Sequence, residues 1–521
     1  MTNMGHIKFA PYLPKRKDEV MDLKYLKKNA WQKFIYNFVN FFKRLPALLL
    51  AFFVAIPKKI LSVLKAIGSI FQTVYRAAKE GDWKTRLSFV VMGFGQLTRK
   101  QVLRGILYLG FELLFIFYMI FFGWGYLVQI GSLGEVVTQE VWNDSKGIYE
   151  YVHGDNSLLI LLYASLTVFF VIAFIYMWYY NVKTNFIAQE LLEVGKTLPD
   201  AKADISACLN DQYHKTLLSI PLLGLFIFTI FPIIFMVLIA FTNYDTDHMP
   251  PYMLFEWVGL ANFETLLTGG VSSTGARFAY TFREVLIWTI LWAFFATFSN
   301  YFLGMIVAIM INKKGIKFKK LWRTILVITI AVPQFVSLLL MSQMLKDEGI
   351  INYLLREWGL IDSYLPFLTD ATWARVTVIL VNVWIGIPYT MLICTGLLMN
   401  IPADLYESAR IDGASPIKAY MRITLPYMLH VTTPYLISQF IGNINNFNVI
   451  FLLTGGNPGT LDYEFAGKTD LLITWLYKLT FERQNYKLAA VISILTFIVV
   501  AVTSLIVYNR SGSVKNEEEF M

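Results

Sequence analysis

Two tripeptides in this sequence could hold a nucleotide phosphate: Gly195-Lys-Thr197 and Gly467-Lys-Thr469. A phosphate-cradling loop needs another glycine five residues earlier, so that backbone N–H groups can close around the anion. Those positions hold Glu190 and Asp462, so neither tripeptide completes the motif. His153, His214 and His248 stand alone, without metal-ligand spacing, and His430 opens an apolar run, where it reads as interfacial. Cys208 and Cys394 are the only cysteines, too few for a disulfide framework or a cysteine cluster. No Ser-His-Asp or paired-carboxylate constellation stands out. The chain is therefore not expected to be an enzyme or to carry a metal or cofactor, and any hydrolytic step is expected on another chain.

What remains is amide chemistry. The run Asn382-Val-Trp-Ile-Gly-Ile-Pro-Tyr389 places Asn382, Gly386 and Tyr389 on one helical face, and Gln439, Gly442, Asn443 and Asn446 share a face in the same way. Amides pair with hydroxyls, aromatic rings cover the C–H face of a sugar, and a glycine leaves room for a ligand. Pro388 is expected to loosen its helix locally. Amides inside a membrane span are costly unless they face a cavity or a neighbour. They can equally join packed helices by hydrogen bonds, and spacing leaves that alternative open.

These residues lie in long apolar segments. Of the 521 residues 56% are hydrophobic and only 16% charged, against about 25% charged in soluble domains, and mean hydropathy is +0.53. That excludes a disordered chain, a disulfide-stapled secreted domain and an ordinary cytosolic enzyme. A bilayer core about 30 Å thick takes roughly 20 apolar helical residues. Eight segments qualify, near 103–130, 158–180, 217–241, 286–311, 324–345, 376–399, 428–453 and 487–508. They are too continuous for barrel strands, so the expected fold is an all-α polytopic membrane protein. Residues 1–104 carry 20 Lys+Arg against 5 Asp+Glu. The loop 312–323 is also basic and 131–157 is acidic, so both termini are expected in the cytoplasm. The net charge of +9 thus marks membrane orientation rather than nucleic acid binding. Trp31, Phe34, Ile35, Phe38, Val39 and Phe42 recur at helical spacing among basic and amide residues, which suggests interfacial helices over 31–80 on an anionic leaflet. Packing on the protein's own cytoplasmic face and a re-entrant or ninth hydrophobic element are the alternatives. Glu112 falls inside span one and is expected to be packed or snorkelling near Arg104.

The cytoplasmic loop before span seven specifies its own shape. Asp404 and Glu407 have capping-box spacing, so a helix is expected over 405–412. Gly413 follows as a left-handed cap. Ser415 can cap a second helix with Pro416 at its first position, and Pro426 is expected to end it. The result is a helix–glycine–helix elbow able to transmit a push from a cytoplasmic partner.

Glu407-Ser-Ala-Arg-Ile-Asp-Gly-Ala414, followed by Ile423-Thr-Leu-Pro426, resembles the EAA loop of binding-protein-dependent ABC importer permeases, with Ser408 where an alanine usually stands. Phe241-Thr-Asn-Tyr-Asp245 and Val258-Gly-Leu-Ala-Asn-Phe263 look like the carbohydrate branch, and the chain is most similar to its larger, MalF-like maltose/maltodextrin permeases over roughly residues 85–510. The resemblance implies a type I importer core at 216–510, preceded by two extra spans at 101–215 and a basic region at 1–100, with a tail at 511–521. It makes Glu407, Ala409, Asp412 and Gly413 candidates for docking an ATPase subunit. It makes Asn382, Ile385, Gly386, Tyr389, Asn443 and Asn446 candidate sugar contacts. Gly442 stands where the family can have an aromatic and Gln439 where it can have Ser. Implied partners are a second permease, two ATPase subunits and an extracytoplasmic sugar-binding protein, with maltose, maltodextrin or a related oligosaccharide as cargo. The external loop 242–284 is much shorter than in some relatives. The alternative reading, an ion-coupled transporter, would need ionisable relay residues in core spans that are nearly free of them.

Overall fold

The computed structural model describes residues 65, 68–313 and 315–510, and nearly all of its regular structure is helical. The expected helix around Trp31 and the tail at 511–521 lie outside the described residues. Among the described residues six helices are long and apolar enough to cross a membrane, and two bent pairs bring the number to eight. The unbroken ones are α1 (Val102–Gln129), α2 (Ser157–Glu193), α3 (Tyr213–Ile239), α4 (Ser273–Asn312), and further along α7 (Ala371–Leu398) and α11 (Tyr486–Arg510). One bent pair is α5 (Lys319–Ala331) with α6 (Gln334–Met344), and the other is α9 (Pro416–Ile444) with α10 (Phe447–Leu453). Between them, α8 (Ala403–Ile411) lies in the loop ahead of α9.

Span five differs from the continuous helix expected over 324–345. Its halves meet at 89°. The residue before a proline is pushed out of the helical region, and Val332, ahead of Pro333, is extended at ψ 124°. Span four starts at Ser273 rather than near 286. Ser272 caps it by accepting from the Gly275 N–H at 2.9 Å. Its first turns bury Phe278, Thr281, Phe282 and Val285 on one face. Arg277, Arg283 and Glu284 hide this amphipathic extension from a hydropathy reading. Pro388 does not break α7, which runs through it unbroken.

The central pillar is α4, buried along its length in three layers. Phe278, Phe282 and Val285 meet α11 residues Leu488, Val491 and Ile492. Trp288, Trp292 and Ala296 meet Val378, Val381 and Ile450. Tyr301, Met305 and Ala308 meet Met391, Cys394 and Met428. Small residues bring α4 and α7 close: a Cβ on Gly304 would lie 2.6 Å from Thr390 Cβ.

The segment before α1 is tied to α2 by buried polar groups. Arg99 donates to Asp82 at 2.6 Å, Thr85 at 2.8 Å and Asn185 at 3.1 Å. Gly93 N donates to Asn181 at 3.0 Å. Glu112 takes the packed of its two expected readings rather than snorkelling beside Arg104. Its carboxylate accepts from the Met92 N–H at 2.8 Å, while Arg104 makes a two-pronged pair with Asp204. The segment 131–156 holds a hairpin, β1 (Gln139–Asn143) with β2 (Ile148–Val152), antiparallel in the register Gln139↔Val152. It meets the 242–257 loop, where Thr138 Oγ1 donates to Pro251 O. That loop is closed by Asp245, which accepts from Lys487 and bonds His248 Nδ1. Burial opposes its charge, but those two partners hold the Asp245 carboxyl below the usual carboxylate range.

Candidate functional site

The amides singled out in the sequence surround one cavity of about 740 Å³, a size typical of ligand sites. Its walls come from α4, the α5–α6 break, α7 and α9. Asn382, Ile385, Gly386, Tyr389, Gln439, Asn443 and Asn446 all line it. Gly442 does not: it is exposed, with open space where a side chain would go. Helical spacing fixed only a shared face; Asn443 and Asn446 take the cavity side while Gly442 turns out at its edge.

The interhelical bonds left open in the sequence are also present. Asn443 Nδ2 donates to Thr297 Oγ1 at 3.0 Å, and the Asn443 carbonyl accepts from Trp292 Nε1 at 3.0 Å. Asn446 caps α10 by accepting from the Val449 N–H at 3.3 Å, where the helix bends by 40°. These two residues both shape the wall and line it. Gly386 receives the Asn300 side chain: a Cβ there would lie 2.3 Å from Asn300 Nδ2. Aromatic surface comes from Tyr389 and Trp384, both about half exposed at 52% and 51%, and from Tyr435. Sequence reasoning missed Asn300, Thr297, Tyr435 and the break residues Thr329, Pro333, Gln334 and Ser337. The proline in span five was the available signal for the break. Among the described residues, no carboxylate, amine, guanidinium or imidazole lines this cavity. It can therefore hold hydroxyls and ring faces, and it supplies no proton relay.

The elbow forms around Gly413, which has φ +71°. The Ala414 N–H donates to the Ala409 carbonyl at 2.9 Å and the Gly413 N–H to Arg410 O at 3.1 Å, the six-to-one and five-to-two pattern of a Schellman cap. Ser415 caps the second arm by accepting from the Lys418 N–H at 3.3 Å, with Pro416 at the first position. Two expectations fail here. The helix begins at Ala403 after Pro402, so Asp404 sits in its first turn and forms no capping box. Pro426 does not end the second arm either. A π-helical turn at Tyr420–Thr424 absorbs the extra backbone room a proline ring needs, and the helix continues to Ile444. The two arms are cross-linked where Tyr406 OH meets Thr424 Oγ1 at 2.8 Å. Glu407, Asp412 and Gly413 are exposed and Ala409 half-buried. Ile411 and Ile417 flank Gly413 at 87% and 76% exposure, an apolar pair on a polar loop that the sequence reading passed over.

The Gly467-Lys-Thr469 tripeptide belongs to the loop between α10 and α11. Gly467 N donates to the buried Asp470 carboxylate at 2.7 Å, as does Lys478 at 2.7 Å. Burial pushes that carboxyl up, against the pull of Lys478.

Residues 300–511 match the profile of binding-protein-dependent transport system inner membrane components. The galactooligosaccharide transport permease GanP of Bacillus subtilis is 35% identical over 432 residues, 82% of this chain and 97% of GanP. This chain belongs to the ABC importer permeases. The permease is also 34% identical over 443 residues to the maltodextrin permease MalC of Streptococcus pneumoniae, covering 83% of this chain and 96% of MalC. The maltodextrin permease MdxF of Bacillus subtilis is 32% identical over 446 residues, 84% of this chain and 97% of MdxF. The permease is a multi-pass membrane protein, and the relatives are sugar permeases of the MalF-like kind. Nothing in these likenesses supports an ion-coupled mechanism.

Proposed function

We propose that this permease carries maltodextrin, or a related neutral oligosaccharide, through the 740 Å³ cavity into a bacterial cytoplasm. The observation that carries the reading is the lining itself: amides, hydroxyls and aromatic rings with no ionisable relay group, in a chain whose relatives transport oligosaccharides. The basic loop 312–323 and the basic stretch 1–104 support cytoplasmic termini. The elbow Ala403–Pro426 then faces the cytoplasm, where Glu407, Ala409, Asp412 and Gly413 dock an ATPase subunit. A second permease completes the pathway, and an extracytoplasmic binding protein delivers the sugar.

Drive passes along a continuous lever. From Pro416 to Asn443 the chain is one helix, about 40 Å long at 1.5 Å per residue. Closure of the ATPase subunits displaces the elbow at one end, and Gln439 and Asn443 move at the other. ATP and the loaded binding protein favour different states, which is the condition for coupled alternating access. The test is ATPase activity of the assembled complex, with its binding protein, against a panel of sugars, amino acids and phosphate. Stimulation by amino acids or phosphate and by no sugar defeats the proposal.

A further inference from the structure

The chain ahead of α1 folds into a hairpin whose tip reaches the height of the membrane spans. Two short helices, Trp83–Leu87 and Phe94–Thr98, flank an irregular turn from Ser88 to Gly93. The height of that turn follows from its partners. α1 and α2 run antiparallel, with Phe115 stacked on Phe174 at 4.1 Å. One helical turn beyond that contact, Glu112 on α1 accepts from the Met92 N–H at 2.8 Å, and Trp178 Nε1 on α2 donates to Phe89 O at 2.9 Å. Glu112 lies ten residues, about 15 Å, inside the start of α1 at Val102. Trp178 lies twenty-one residues, about 32 Å, from the start of α2 at Ser157. A hydrocarbon core is about 30 Å thick, so both counts put the turn at its edge. The base of the hairpin lies well outside: the Asp82 N–H donates to Gln189 Oε1 at 2.8 Å, about 16 Å further along α2 than Trp178.

Irregular backbone is tolerated at membrane height only where its polar groups are satisfied without water. The N–H groups of Ser88, Phe89, Val90, Val91 and Phe94 bond backbone carbonyls. The Met92 N–H takes Glu112, the Gly93 N–H takes Asn181 Oδ1 at 3.0 Å, and the Gly95 N–H takes Ser88 Oγ at 2.8 Å. Asn181 Nδ2 also donates to Ser88 O at 2.9 Å. Polar groups thus turn inward, while Trp83, Leu87, Val90 and Val91 stand exposed on the outside. Val90 is 73% exposed, comparable with Leu114 on the open side of α1 at 70%. At this height such a surface meets acyl chains rather than water.

We infer that residues 83–98 form a membrane-dipping hairpin in addition to the spans, with the Val90–Val91 tip in the acyl edge of one leaflet. Glu112, Trp178 and Asn181 are the positioning residues that hold the turn there. The partner of this surface is the lipid layer, and the carboxyl group of Glu112, otherwise costly within a span, serves as the acceptor that seals the turn. The leaflet is the cytoplasmic one on the orientation proposed above; the depth itself rests neither on that orientation nor on the cargo.

The test uses the full-length permease in its assembled complex, in proteoliposomes, with Cys208→Ser removing the exposed native thiol. Nitroxides are placed one at a time at Val90→Cys, at Leu114→Cys as the lipid reference and at Lys79→Cys as the water reference. Collisions are read with oxygen, which concentrates among acyl chains, and with a water-soluble nickel chelate. Val90 should lose most of the nickel collisions seen at Lys79 and keep oxygen collisions like those at Leu114. Glu112→Leu removes the acceptor of the Met92 N–H and should shift Val90 toward the Lys79 values. Glu112→Gln keeps an acceptor oxygen and should leave Val90 unshifted. Nickel collisions at Val90 equal to those at Lys79 place the tip in water and overturn the inference. Few collisions with either reagent place it under protein, whether another segment of this chain or a second permease, and overturn it equally. An unshifted Val90 in Glu112→Leu overturns the positioning role of that residue. If the label at Val90 prevents assembly, Leu87→Cys and Val91→Cys are read in the same way. A membrane-impermeant maleimide on Lys79→Cys reports the side separately, so a reversed orientation defeats that part of the proposed function and leaves the depth result standing.

Discussion

The elbow stands on the left-handed conformation of Gly413, and a substitution series there separates shape from contact. A Cβ at this position meets nothing within 4 Å, so within this chain alanine is free of steric conflict. The cost of Gly413→Ala is then conformational, about 1–2 kcal/mol for holding an L-residue at φ +71°. That reduces the population of the native elbow relative to alternatives by a factor of about 5–30. Asn tolerates this region better than Ala, so Gly413→Asn should cost less despite its larger side chain. Gly413→Pro fixes φ near −65° and removes the N–H that bonds Arg410 O, so it should abolish the cap. The assay is sugar imported per ATP hydrolysed by the reconstituted complex with its binding protein. Coupling should fall in the order Gly, Asn, Ala, Pro. If close contact with the ATPase subunit set the requirement, the larger Asn would be worse than Ala. That reversed order, or a Gly413→Ala variant coupled like the wild type, refutes the conformational reasoning.

Two further outcomes are expected. Arg99→Met strands Asn185 Oδ1 and removes the charged partner of Asp82, which keeps its bond from the Thr85 N–H; because Asp82 also keeps 35% of its side chain exposed, the loss should fall near the lower end of the range for a broken buried pair, about 3 kcal/mol. Thermal unfolding of the detergent-solubilised protein checks it, and an unshifted midpoint contradicts the assignment. At the 242–257 loop, the Asp245 carboxyl sits below its unfolded value of 3.8. Its folded state therefore binds fewer protons, and its stabilising contribution is complete above that value and is lost as pH falls through the lower folded one. Acidification should expose residues 243–257 to hydrogen exchange, and Lys487→Met should weaken that acid response; an identical profile in the variant counts against the ion pair.

Local chemistry made much of the elbow readable in advance. Gly413, Ser415 and Pro416 act through their own backbone and nearest neighbours, so their types announce the turn and the second cap. Asp404 misled because Pro402 takes the N-cap position and starts the helix two residues sooner than the capping-box spacing implies. Pro426 misled because a π-helical turn upstream supplies the room its ring needs, a remedy that residue types do not reveal. In the cavity wall, periodicity brought Asn382, Ile385, Gly386 and Tyr389 to one side of α7, while Gly442 fell just beyond the edge of a curved surface whose width no single helix encodes.

By itself the sequence determined the all-helical membrane class, because a backbone in lipid must satisfy its own hydrogen bonds and the apolar runs are long enough to span. It also determined the elbow's glycine hinge and the amide faces of spans six and seven. Tertiary structure decided which amides are committed to neighbours and which are left facing the cavity. It set Asn443 against Thr297, laid Asn300 on Gly386, and turned span five by 89° so that its break joins the wall. The reason is that an amide's role depends on whether a partner from a distant helix arrives within about 3 Å. That distance is fixed by packing among α4, α7 and α9, not by spacing along any one of them.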